Sequence, residues 1–76
     1  MHKYLLAAEQ LHQEQAQIEG NVHGLHPGRV LFSAATALAS AEIRGKPFSP
    51  EQIDRLPPVV KRNAMRMILA RAAQLQ

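Results

Sequence analysis

Tyr4, Ala8, Leu11, Gln15, Ile18, Val22 and Leu25 follow one another at alternating intervals of four and three residues. A 3.5-residue repeat of this kind keeps one stripe of a helix facing a partner helix. The amino-terminal third is therefore expected to be helical, over residues 3–19. Gly20 and Gly24 weaken any continuation, because each costs about 1 kcal/mol relative to Ala inside a helix. The stretch "GNVHGLHPG" that contains both reads as a loop.

Proline and glycine punctuate the rest of the chain. Pro27 suits the first turn of a helix, where its missing N–H has no partner to lose. Gly45 directly after Arg44, with Pro47 two residues on, is a stop signal. A second helix over 28–44 follows, with Val30, Leu31, Ala34, Ala37, Leu38 and Ala41 on neighbouring faces. Its small residues Ser33, Ala34, Ala37 and Ala41 let another backbone come close, which makes it the expected centre of the fold. In "FSPEQI", Ser49 is an N-cap, Pro50 holds the first helical position and Gln52 completes a capping box. Phe48 can staple onto Ile53. This short helix, 50–56, is ended by Pro57, which disfavours helical geometry at Leu56. A last helix over 58–75 carries Val60, Ala64, Met67, Ile68 and Leu75 on one broad side, widened by Val59, Met65 and Leu69.

The expected fold is thus all-α: a small bundle of three longer helices (3–19, 28–44, 58–75) and one short capped helix (50–56), forming one domain over residues 1–76. A chain of 76 residues buries only about 60% of the surface it exposes when unfolded. It has no cysteine, so neither disulfides nor thiolate-bound zinc can stiffen it. Self-association is the remaining common route to stability. A homodimer is expected, with Tyr4, Ala8, Leu11, Gln15 and Ile18 at its interface.

Charge is unevenly distributed. Residues 1–27 hold Lys3 against Glu9, Glu14 and Glu19, a net of −2. Residues 28–76 hold Arg29, Arg44, Lys46, Arg55, Lys61, Arg62, Arg66 and Arg71 against Glu42, Glu51 and Asp54, a net of +5. A basic half of this kind draws an anionic partner, or serves only to solvate the outside of the bundle. At 100° per residue Arg71 falls opposite Arg62, so the cations of the last helix do not form one continuous stripe.

Chemistry finds no support. His23 and His26 stand in H-x-x-H spacing, but a structural zinc site takes four ligands and there is no cysteine to supply them. Ser33, Ser40 and Ser49 lack any visible His and carboxylate arrangement, and the glycines do not form a phosphate-cradling loop. No catalytic residue, metal site or cofactor is assigned. No segment approaches the roughly 18–20 apolar residues that span a bilayer, and the start lacks the apolar region of a signal peptide, so a cytoplasmic protein is expected. A cationic helix lying in the headgroup plane is disfavoured by the absence of Trp.

Recognition is what remains. The expected function is a non-enzymatic regulatory or interaction protein that binds a macromolecular partner, a protein, through Arg55, Lys61, Arg62, Asn63 and Arg66. The alternative is a nucleic-acid-binding regulator using the same basic patch, residues 55–66. Arg can fork to guanine and Asn to adenine, but Pro57-Pro58 replaces the usual turn of a helix-turn-helix.

Overall fold

The computed structural model describes residues 2–21, 25–45 and 56–75. They form three helices, α1 (Lys3–Gln13), α2 (Pro27–Arg44) and α3 (Pro58–Gln74), and no strand occurs among the described residues. The expected short helix, its capping box and Arg55 lie outside the described residues, except for Leu56, which is non-helical and precedes α3.

The first helix ends six residues earlier than its apolar spacing suggests, at Gln13 instead of residue 19. A Schellman turn stops it. The Ala16 N–H donates to the Leu11 carbonyl and the Gln15 N–H to the His12 carbonyl, both at 3.0 Å. This closure needs a left-handed residue at position 15, a seat normally taken by glycine. Gln15 occupies it at φ 56. The hydrophobic contact that accompanies the motif is also present, because Ala16 packs against the core that contains Leu11.

Beyond that turn the chain runs along α3. Ile18 is buried, a turn closes from the Asn21 N–H to the Ile18 carbonyl, and the Asn63 side-chain amide on α3 donates to the Glu19 carbonyl at 2.7 Å. Gly20, at φ 82, sits so near Val59 that a Cβ there would lie 2.9 Å from its Cγ1. Glycine is required at this position on both counts.

α1 and α2 pack antiparallel, as the partners at their two ends show. At the start of α1, His2 Nδ1 accepts from the Tyr4 N–H at 3.3 Å, and its Nε2 lies 3.2 Å from Glu42 near the end of α2. Lys3 reaches the other oxygen of Glu42 at 3.4 Å. Near the end of α1, His12 rests on Gly28 at the start of α2.

The core is aliphatic and rich in alanine. Leu31, Ile68, Val30 and Val60 are its largest fully buried side chains, and Ala7, Ala8, Ala34, Ala35 and Ala64 fill the seams without exposure. Small side chains let helix axes approach closely, and the four branched residues fill the space between them. Burying each of those four is worth about 1.5–3 kcal/mol. No polar or charged residue is buried among the described residues. α2 is the central element expected: Gly28, Val30, Leu31, Ala34, Ala35 and Ala39 are all buried. Its end follows the punctuation read from sequence, with Gly45 left-handed at φ 63.

Candidate functional site

α3 carries Lys61, Arg62, Arg66 and Arg71 and no carboxylate between Pro58 and Leu75. Its rotation is set by the core: Val60, Ala64, Ile68 and Ala72 recur every fourth residue and all four are buried. Arg62 then falls about 160° from both Val60 and Ala64. Arg62 and Arg66 are exposed and form no ion pair with a described residue. They stand one turn apart, about 6 Å along the axis.

Apolar residues flank them on the same outward side. Val59 is 50% and Leu69 45% exposed, and Ala70 and Ala73 are also exposed. Val59 and Leu69 are about 15 Å apart along the helix, with the two arginines between. The result is a mixed face, apolar at both ends and cationic in the middle.

The remaining expected contact residues are used differently. Asn63 is half-buried and holds the Glu19 carbonyl, so its amide fixes the loop after α1. Lys61 is half-buried and already engaged within the chain. Arg55 lies outside the described residues.

Arg71 lies half-buried on the other side of α3, as the helical period requires. Its guanidinium forks onto the Glu14 carboxylate, Nη2 to Oε1 at 2.8 Å with Nη1 on the second oxygen, and Nη1 also reaches Gln10 Oε1 at 3.2 Å. The hydrogen bond from Arg71 holds the Glu14 carboxyl below its ordinary range, partly opposed by desolvation. The same bond pushes Arg71 up. This pair ties α3 to the end of α1 and neutralises one of the helix's cations.

The five residues expected at a dimer interface scatter. Ala8, Leu11 and Ile18 are buried within the chain, Tyr4 is half-buried against the same core, and Gln15 is exposed in the left-handed turn. Ala8, Leu11 and Ile18, expected at the interface, belong to the chain's own core: α1 stops early, the chain folds back, and the three pack with the buried residues of α2 and α3.

Among the described residues, no three of His, Asp or Glu come together as metal ligands, and no described helix is long and apolar enough to cross a membrane. Comparison with known proteins returns nothing similar: no protein family matches the chain, and neither a curated protein nor a solved structure matches it significantly.

Proposed function

We propose that this protein is a non-enzymatic interaction module that binds an acidic surface of a protein partner through the outward face of α3. The observation that supports it is the pair Arg62 and Arg66, exposed between Val59 and Leu69 on a helix without a carboxylate, while Arg71 and Asn63 are engaged with other parts of the chain. Arginine combined with apolar contact is the composition of protein-interface hot spots. The two arginines steer an anionic partner and set its register, and the flanking Val59 and Leu69 supply the area that is lost from water on docking.

A protein partner fits better than a nucleic acid. Phosphate contacts made by Lys and Arg supply much of the affinity for DNA, and among the described residues this face of α3 presents two exposed arginines. Asn63, the side chain suited to adenine, is committed to Glu19.

Affinity capture with the wild-type chain and with the Arg62→Glu, Arg66→Glu double variant tests the proposal, with bound proteins quantified by mass spectrometry. A stoichiometric acidic partner held by the wild type and lost from the double variant is expected. Equal recovery by both overturns it. So does steep, salt-dependent binding to duplex DNA or RNA in a titration at two ionic strengths, which would establish the nucleic-acid alternative instead.

A further inference from the structure

His12 and His26 are 14 positions apart in the chain, yet their rings come together with centroids 6.0 Å apart. Both line one open cleft of about 310 Å³, between the end of α1 and the start of α2, together with Gln15, Ala16, Gln17 and Pro27. This cleft is separate from the outward face of α3.

Two features set these rings apart from ordinary surface histidines. His26 holds the N-cap position of α2, where Ser, Thr, Asp or Asn would accept from the helix, but its side chain makes no capping hydrogen bond. His12 is held from two sides. The edge of Phe32 meets it with centroids at 6.4 Å, and Gly28 lies so close that a Cβ there would sit 2.8 Å from its Cε1. The absence of a side chain at residue 28 is thus what admits the His12 ring.

We infer that His12 and His26 form a binding site for a divalent first-row transition ion of the zinc class. Neutral imidazole is a preferred ligand of such ions. With a metal–nitrogen bond of about 2.0–2.1 Å and about 1.1 Å from nitrogen to ring centre, two rings on one ion have centroids no more than about 6.4 Å apart, and about 5.2 Å apart at a tetrahedral angle. The observed 6.0 Å lies inside that limit and within about 1 Å of the tetrahedral spacing. The two imidazoles take two positions. Water takes the others, with the amide oxygens of Gln15 and Gln17 at the same cleft able to join. The site is open and two-pronged, unlike the closed four-ligand sites that hold a fold together.

Titration of the full chain with zinc chloride, followed by NMR of the histidine ring protons, tests the inference. A saturable one-to-one change confined to the His12 and His26 rings is expected. Affinity should fall at least tenfold in His12→Ala and in His26→Ala, and stay unchanged in His2→Ala. Gly28→Ala keeps both imidazoles but displaces the His12 ring, and should also weaken binding at least tenfold. Because His12 and His26 are exposed, both alanine variants should keep the helical circular dichroism of the wild type. No ring shift up to millimolar zinc overturns the site. Undiminished binding in either alanine variant, or binding that depends on His23 and not on His12, overturns it equally.

Discussion

Replacing Gln15 by glycine should stabilise the fold, although it removes a side chain. Gln15 stands at φ 56, where the Cβ of an L-residue crowds the next carbonyl at a cost of about 1–2 kcal/mol. Glycine escapes that cost but loses about 0.5–1 kcal/mol more conformational entropy on folding. The exposed Gln15 side chain makes no hydrogen bond that would be lost. The balance is a gain of about 0.5–1 kcal/mol. In a domain of this size 1 kcal/mol moves the melting midpoint by about 4–8 °C, so a rise of about 2–8 °C is expected. Gln13→Gly is the control. Gln13 is exposed and is the last residue of α1, so glycine there should destabilise by about 0.5–1 kcal/mol. Thermal and urea unfolding followed by circular dichroism measures both. Opposite signs at positions two residues apart are the signature of the Schellman turn. A fall at both positions would mean that residue 15 continues the helix, and would refute the early end of α1.

Three further substitutions test the packing and the Glu14–Arg71 ion pair. Because Arg71 lowers the folded-state pKa of Glu14, the unfolded chain takes up the proton first. The pair's contribution is therefore complete above the ordinary carboxylate pKa and is lost as pH falls through the lowered folded value. Glu14→Gln should remove that part of the acid-side loss in urea midpoints measured as a function of pH, and an unchanged acid limb would contradict the pair. Ile68→Ala should cost about 2–5 kcal/mol, since it empties a fully buried site. Leu69→Ala, next to it but 45% exposed, should cost well under half as much, and equal losses would mean that α3 is rotated from the orientation described.

What was legible in the sequence is where one residue's chemistry decides the local backbone. Pro27 and Gly45 bound α2, and Pro58 opens α3, because ring closure and the missing Cβ act without help from distant residues. The opposite directions of Arg62 and Arg71 follow from the helical period, and Val60, Ala64 and Ile68 of the expected apolar side are buried, whereas Val59, Leu69 and Leu75 are exposed. The end of α1 was not legible. Glutamine is an unusual occupant of a left-handed seat, and the apolar interval from Leu11 to Ile18 continues a helical rhythm across a turn that breaks it. Ile18 is buried by the return of the chain, not by α1. The partners of Asn63 and Arg71 are 44 and 57 residues away in sequence, and no local pattern encodes contacts at that range. For the same reason His12 and His26 could not be paired by spacing, whereas His23 and His26 could.

Arginine-specific dicarbonyl labelling of the free protein, read residue by residue by mass spectrometry, separates cations used inside the fold from those left for a partner. Arg62 and Arg66 should react as fast as the exposed Arg44, and Arg71, held by Glu14 and Gln10, should react many times more slowly. In complex with the captured partner, Arg62 and Arg66 should become protected while Arg44 stays reactive. Arg71 labelling as readily as Arg62, or Arg62 and Arg66 remaining fully reactive in the complex, would contradict the assignment of the outward face of α3 as the binding surface.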